Sequence, residues 1–399
     1  MVATVTKTVG SSGRAFSTAQ SWEDGAPVNL ITTEKWSAGT FTGSFQQGET
    51  VSGVGLTAGK YLDGDGSSYV VFGIVTGNTA TLVTLTGTTS GATCVVGSKT
   101  DTGIIWRGEL YNDTEFTVNG TVLVVSGSTT DATSYKELTT GSGQSFVDNV
   151  NAQTNALHYN VANGVGLRTT NGYSGCTSIQ ENFTRVGKIQ FSAAKNAAMD
   201  VPTSGISGVD INQIIVETTS TAANSARVRA GKIRNSLIVN RANTGDGLSF
   251  DYVTSGQAIN VTVVRPSDKT KAGAAFTAAS AGATLKNCAA FGFTNEVNNS
   301  SRFTATTCYT DKVTPMTGFT TIAYDTTTGS GFQNITDATY DYRIKSSSGL
   351  IGVATADSTN AAFDIVGTSR PQGGAYDVGC WEFKVAPSGF PAYLFFFAT

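Results

Sequence analysis

The sequence has little of what metal, redox and nucleic-acid chemistry require. It contains one histidine, His158, and five cysteines without CxxC spacing, so a zinc site is not expected. Buried, reduced thiols are the favoured interpretation of the cysteines, and a disulfide between Cys288 and Cys308 is the alternative. Charged residues make up only 14% of the chain and the net charge is −3. This balance gives no basis for binding nucleic acid, and we expect no cofactor.

Long apolar runs and a targeting segment are missing as well. No stretch approaches the ~20 apolar residues that would span a membrane. The first residues, "MVATVTK", lack the basic and then apolar pattern of a signal peptide. We therefore expect the chain to fold in a cytoplasm and not to insert into a membrane.

The abundant residue types favour strands and tight turns. The 399 residues include 46 Gly and only 7 Pro, together with many Thr, Asn and Val. Hydrophobic residues make up 39% of the chain, which is enough for a sizeable core. The composition predicts an all-β fold.

Short apolar stretches recur about every 22 residues in the middle of the chain. Each alternates apolar and polar residues, which is typical of a strand with one buried face. Without helices between them, such strands bury their apolar faces only if successive coils stack on one another. We predict a right-handed, single-stranded parallel β-helix from about residue 164 to 381, with one aliphatic column inside it: Ile189, Ile211, Ile233, Ile259 and Leu285.

Asparagines follow several of these anchors and fit turn positions or a stacked ladder of amides. They are Asn212, Asn235 and Asn287. A β-sandwich with regular hairpins is the alternative fold, and it would place Asn-Gly or Asp-Gly turns between paired strands. Only scattered ones occur, such as Asn119-Gly120.

An open solenoid exposes its core at both ends, so each end needs a cap. At the N-terminus, "SSGRAFSTAQSWEDGAP" predicts a short capping helix that begins after Ser17 and ends at Gly25. Its apolar face would consist of Phe16, Ala19 and Trp22.

The C-terminal stretches "YRIKSSSGLIG" and "FDIVGTSRPQGGAYDVGCWEF" are dense in Gly and in Asp, Arg and Glu. They resemble the closing segment of right-handed parallel β-helix proteins of the pectin-lyase-like class. The resemblance spans residues 342–383 and implies a lid over the last coil. It departs from the usual pattern at Gly349 and at Cys380-Trp381. Within it, Arg370 can pair with Asp377 or Glu382. The matching positions are Asp364, Gly367, Arg370, Pro371, Asp377, Gly379 and Glu382.

The residue pattern at 46–100 differs from that of the flanking segments. Strands at 69–76 and 79–86, joined around Gly77-Asn78, predict a small antiparallel β insertion. "GETVSG" and "GTTSGATCVVG" resemble units that recur in tail and virion proteins of bacteriophages, which implies a virion protein. "DGDGSS" could begin a calcium loop at Asp63, but Ile74 stands where the loop needs Glu, so a hairpin turn is favoured.

The chain ends in an apolar cluster, "APSGFPAYLFFFAT", where a monomer is expected to be polar. Burial against a sister subunit or another protein is the favoured interpretation, and packing along the chain's own β-helix is the alternative. The predicted interface residues are Phe390, Tyr393, Leu394, Phe395, Phe396 and Phe397.

No catalytic constellation is recognisable, so catalytic residues stay unassigned. The β-helix class that the chain resembles includes polysaccharide lyases and glycosidases. The nearest acidic group is Asp246, Asp251 and Asp268, in loops after successive coils. Two carboxylates ~5–9 Å apart could hydrolyse a glycosidic bond. We favour surface acids for these three and a non-catalytic role for His158.

The predicted organisation is an N-terminal cap with the first coils at 1–45, the β insertion at 46–100, the β-helix with its closing segment at 101–383, and the apolar tail at 384–399. The favoured function is non-enzymatic: a decoration protein, fibre or spike on a bacteriophage virion, assembled in the host cytoplasm. We expect a homotrimer that contacts other virion proteins. The alternative is a tailspike-type depolymerase that acts on a host-surface glycan.

Overall fold

The computed structural model describes residues 2–77, 83–170, 175–194, 197–202, 205–219, 224–228, 231–250, 256–360 and 362–384. Within these ranges the chain is all-β, with large parallel sheets and almost no helix. None of its helices there is long and apolar enough to cross a membrane.

The strands are β1 (Ala3–Val9), β2 (Glu34–Thr42), β3 (Thr50–Gly53), β4 (Leu56–Gly64), β5 (Tyr69–Gly77), β6 (Thr84–Gly87), β7 (Thr93–Thr102), β8 (Ile104–Leu110), β9 (Phe116–Val118), β10 (Leu123–Val125), β11 (Lys136–Thr140), β12 (Gly166–Thr169), β13 (Thr177–Ile179), β14 (Arg185–Gly187), β15 (Gln190–Ala193), β16 (Met199–Val201), β17 (Asp210–Asn212), β18 (Ile215–Thr218), β19 (Asn224–Val228), β20 (Lys232–Asn240), β21 (Asp246–Phe250), β22 (Gln257–Val264), β23 (Ala274–Ala278), β24 (Ala283–Lys286), β25 (Ala289–Phe291), β26 (Asn295–Val297), β27 (Phe303–Thr306), β28 (Cys308–Thr310), β29 (Phe319–Thr321), β30 (Phe332–Asn334) and β31 (Asp341–Ile344). The helices are α1 (Ala19–Asp24) and a 3₁₀ turn at Ser300–Arg302.

Two parallel sheets carry the repeat. The described strands form a 16-stranded sheet and a 7-stranded sheet, the latter in the order β10-β13-β16-β19-β21-β23-β26. In the larger sheet β17 and β18 both pair with β20, and β22 pairs with β20, β24 and β25. Each repeat thus places two segments in the larger sheet and one strand in the smaller.

The register of the strands corrects the predicted aliphatic column. Ile211 and Ile233 are paired, as predicted. Ile259, however, pairs with Arg234, one residue out of register, and Ile189 lies just before β15 in another part of the sheet. Because side chains alternate along a strand, a shift of one residue moves a side chain to the opposite face. The observed column is Leu138, Val186, Ile211, Ile233, Ala258 and Leu285.

A left-handed residue marks the bend between the two segments of the larger sheet. In β20, Asn235 has φ 48° and lies between the residues that pair with β17 and those that pair with β18. Asn235 Nδ2 donates to Asn212 Oδ1 at 2.9 Å, so the predicted amide ladder is confirmed at this step. Asparagine adopts this backbone conformation more readily than most residues. Equivalent residues have φ between 48° and 64°: Lys188, Gln213, Asn235, Asn260, Asn287 and Thr307.

At the N-terminal end, α1 packs over the first strands. Its N-cap is Thr18, one residue later than predicted, and Gly25 follows its last turn. Trp22 of α1 is fully buried, and its carbonyl accepts a hydrogen bond from Trp106 Nε1 at 3.3 Å.

A buried ion cluster fixes α1 to the sheets. Lys136 Nζ, which is inaccessible to solvent, binds Glu23 Oε1 of α1 at 2.5 Å and Glu181 Oε2 at 2.9 Å. Burial raises the pKa of Glu23, although Lys136 opposes the effect. Removing one member of such a buried cluster leaves a buried charge uncompensated and strongly destabilises the fold.

Six antiparallel strands between Glu34 and Thr102 form a closed barrel in the order β2-β5-β4-β3-β6-β7. It therefore includes a strand that precedes residue 46. A salt bridge of 2.7 Å between Lys7 and Asp63 ties the barrel to β1. Asp65 Oδ1 accepts the backbone N–H groups of Ser67 and Ser68, so "DGDGSS" is a hairpin turn, as favoured from the sequence. The barrel has its own core: Trp36, Val51, Leu56, Val70, Phe72, Leu85, Cys94 and Val96.

Residues 322–383, here called the lateral cover, do not lie over the last coil, so that expectation is wrong. They pack along the side of the larger sheet across several repeats. Cys380 N donates to Thr262 Oγ1 at 3.0 Å, and Gln213 Nε2 donates to Asp364 O at 2.8 Å. They pack there because the outer face of the larger sheet is itself apolar and has to be buried. It presents Ile215, Leu237, Val239, Val264, Ala289 and Phe291.

Two expectations about buried groups are confirmed. Arg370 and Glu382 form an ion pair of 3.5 Å with both side chains inaccessible to solvent. All five cysteines are free and buried: Cys288 N donates a hydrogen bond to Cys308 Sγ at 3.4 Å, but the two thiols form no disulfide.

Candidate functional site

The site richest in ionisable side chains is a groove of ≈ 370 Å³ beside the lateral cover, here called the histidine groove. It lies where residues 158–161, the larger sheet and the turn between β30 and β31 meet. The register aligns Arg168 of β12 with Glu217 of β18, one strand apart across Ser192. The ionisable and aromatic lining is Glu115, His158, Tyr159, Arg168, Glu217, Arg241, Asp337 and Tyr340.

One wall contains a carboxylate held by a tyrosine and an arginine. Tyr159 Oη donates to Glu115 Oε1 at 2.6 Å, and Arg168 NH1 lies 3.6 Å from the same oxygen. Burial, followed by the nearby Glu115, raises the pKa of Tyr159, so the phenol remains a neutral donor. Both contacts fix the position of the Glu115 carboxylate.

The opposite wall repeats this arrangement. Arg241 NH1 binds Glu217 Oε1 at 3.0 Å, and Tyr340 Oη donates to Glu217 Oε2. Arg241 Nε also binds Asp337 at 2.6 Å, and Lys269 binds the other oxygen of that carboxylate at 2.9 Å. Burial opposes ionisation of Asp337, but the hydrogen bonds from Arg241 and Lys269 lower its pKa overall.

His158 lies between the two walls and forms no acid–base pair through its Nδ1 atom. Its ring packs edge-on against Tyr340 with 5.6 Å between centroids. Nδ1 has no hydrogen-bond partner among the described residues. The contacts of His158 are therefore aromatic packing rather than the carboxylate–imidazole pair that general base catalysis commonly uses.

Of the acids singled out in the sequence, Asp246 and Asp268 each accept a backbone N–H group. Asp246 Oδ1 accepts Ala274 N at 2.7 Å, and Asp268, on the surface, accepts Asp337 N at 3.0 Å. Asp251 and the predicted interface residues at 390–397 lie outside the described residues. Glu217 was missed, although it is a carboxylate inside the apolar run "IIVE", where burial on both faces requires a partner.

Comparison with protein-family models, curated proteins and solved structures finds no match to this chain. Its chemistry must therefore be judged from the geometry. Over the described ranges, no group of three or more His, Cys, Asp or Glu side chains is arranged to hold a metal ion.

Each carboxylate of the histidine groove is fixed by an arginine, and two also accept a phenol. Such contacts hold the carboxylate oxygens in place. These contacts bind the lateral cover to the larger sheet, because Asp337 and Tyr340 belong to the cover.

Proposed function

We propose that this chain forms a right-handed parallel β-helix, capped by α1, and acts as a non-enzymatic structural protein on the surface of a bacteriophage virion. The fold part of the proposal is supported by the parallel register of successive repeats and by the left-handed residue at the same bend of each repeat. Stacked coils of this kind bury one continuous core.

The observation that carries the structural role is the burial of the apolar outer face of the larger sheet. The lateral cover buries one outer sheet face as a second core, and arginines hold the carboxylates of the histidine groove. A chain closed in this way is rigid and resists local opening, which suits a particle exposed to the environment. The phage-like segments in the sequence supply the virion part of the proposal.

We expect a homotrimer that contacts other virion proteins through the apolar tail. Fully burying one Phe contributes roughly 1.5–3 kcal/mol, so a cluster of them supplies substantial association energy. A closed three-fold assembly would use the same contact three times.

The test compares the full chain with a chain that ends at Lys384, and with a full-length Phe395→Ser/Phe396→Ser variant. The full chain should be trimeric by light scattering and present in purified particles by immunogold labelling. Both variants should stay folded, become monomeric and be lost from particles. A full chain that is absent from particles would refute the virion role, and a truncated chain that still assembles would refute the role of the tail.

A second candidate is a glycan depolymerase. The observation that favours it is that Glu115 and Glu217 both line the histidine groove, each beside a tyrosine. Aromatic and carboxylate side chains of this kind can bind and cleave a glycosidic bond when the two carboxylates are suitably spaced.

A further inference from the structure

A second groove crosses the larger sheet beside Asn360 of the lateral cover and is here called the arginine groove. It has a volume of ≈ 400 Å³ and adjoins a smaller one of ≈ 210 Å³, with Arg185 and Asp210 lining both. Side chains directly opposite one another on successive strands form a line across it: Arg107, Glu137, Arg185, Asp210, Lys232 and Gln257.

Arg185 is held in place before any ligand arrives. Its guanidinium carbon lies 3.7 Å from the centroid of the Tyr135 ring, and its NH1 donates to Tyr135 Oη. The loop that carries Phe183 forms the adjoining wall. A side chain on Gly208 would meet the Phe183 ring at 2.4 Å, so this wall requires glycine. Stacking leaves the outward edge of the guanidinium available for a planar, two-point contact.

The carboxylates of the groove are already neutralised by other arginines. Arg107 Nε binds Glu137 Oε2 at 2.7 Å, and Arg234 binds Asp210 with two contacts of 3.0 Å. Both carboxylates therefore have an ion-pair partner other than Arg185.

The two remaining cations bind neutral partners. Arg185 bonds to a tyrosine hydroxyl, and Lys232 Nζ donates to Asn360 Oδ1 at 3.1 Å. Within the described part of the chain, neither forms a salt bridge. Three cations and two carboxylates therefore lie along this line, and a fourth cation, Arg234, lies beside it, on a chain whose net charge is −3. The groove therefore has a local excess of positive charge, with Arg107, Arg185, Lys232 and Arg234 against Glu137 and Asp210.

We propose that the arginine groove is a binding site for an anionic group, a carboxylate or a phosphate ester, held between Arg185 and Lys232. Guanidinium binds such groups through two parallel hydrogen bonds, and a fixed guanidinium loses little entropy in doing so. This site is independent of the proposed place of the chain in a virion and of any activity in the histidine groove.

The test is titration calorimetry on the full chain at low ionic strength and neutral pH. The probes are inorganic phosphate, trigalacturonate and the uncharged maltotriose. Saturable binding of phosphate or trigalacturonate, weakened by added salt, supports the proposal, and the better of the two identifies the source of the anion. Absence of binding by both anions, or equal binding of maltotriose, would overturn it.

Two variants locate the site. Arg185→Gln should weaken binding at least tenfold, and Lys232→Gln at least threefold. Arg14→Gln is the matched control, because Arg14 also lies over a tyrosine ring, that of Tyr111 at 3.6 Å, but lines neither groove. It should bind like the unchanged protein. If Arg185→Gln fails to fold, Arg185→Lys keeps the charge and loses the two-point contact, and it should still bind several-fold more weakly. Binding unaffected by both changes at Arg185 would refute the assignment.

Discussion

Replacing Ile233 by threonine tests the register of the parallel sheet. Ile233 is fully buried and pairs with Ile211 on one side and Ala258 on the other. Ile259 is also buried, at 7% exposure, but pairs with Arg234 and Lys286. Threonine is β-branched like isoleucine, so the same change at both positions leaves the strand preference of the backbone nearly intact.

The two substitutions should differ because of where the new hydroxyl lies. Each removes about two carbons from an apolar side chain, or about 1.6 kcal/mol at ~0.8 kcal/mol per CH₂. In the aliphatic column at residue 233 the hydroxyl meets only hydrocarbon, and an unsatisfied buried polar group costs a further ~1–3 kcal/mol. Beside charged side chains at residue 259 it can find a partner. We expect Ile233→Thr to cost about 3–4 kcal/mol and Ile259→Thr about 1–2 kcal/mol.

The assay is urea unfolding followed by far-UV circular dichroism, with amide hydrogen exchange over β17, β20 and β22. Ile233→Thr should show the larger fall in transition midpoint and faster exchange in those three strands. Equal costs, or a larger cost for Ile259→Thr, would show that residue 259 occupies the interior column and that the register described above is wrong.

Two further predictions concern the lateral cover and catalysis. Burial raises the pKa of Glu382 to about 7, against the opposing effect of Arg370. A folded-state pKa above the unfolded value of about 4.3 contributes stability that is complete below that value and is lost as pH rises through about 7. The melting temperature should therefore fall between pH 5 and pH 8, and less steeply in Glu382→Gln than in the control Glu109→Gln; equal slopes would contradict this. Purified protein should release no reducing ends or unsaturated uronates from host-surface glycans, whereas release that Glu217→Gln abolishes would establish the depolymerase.

The all-β class and the bends at Asn235 and Asn287 were predictable because they depend on local preferences, whereas Asn212 lies one residue before its bend, which is at Gln213. Glycine, threonine and valine favour strands and turns, and Asn235 lies at a left-handed bend that asparagine tolerates. The sequence predicted that Arg370 pairs with Asp377 or Glu382, and in the structure its ion-pair partner is Glu382. These features involve neighbours in sequence, so one sequence was sufficient to find them.

The histidine groove could not be assembled from the sequence, because its walls come from distant segments. Glu115, Glu217 and Tyr340 are each unremarkable alone and become a site only when the lateral cover packs on the sheet.

The sequence by itself determined that this chain folds as repeated strands with buried thiols and few charges. Tertiary structure alone decided the register and the position of the C-terminal segment. The register depends on loops of unequal length, and a slip of one residue exchanges the two faces of a strand. The repeat period alone therefore could not decide whether Ile259 or Ala258 lies in the interior column. The C-terminal segment lies along the side of the sheet because strands such as "SLIVN" and "INVTVV" are apolar on both faces, and the outer face is buried only when that segment packs against it.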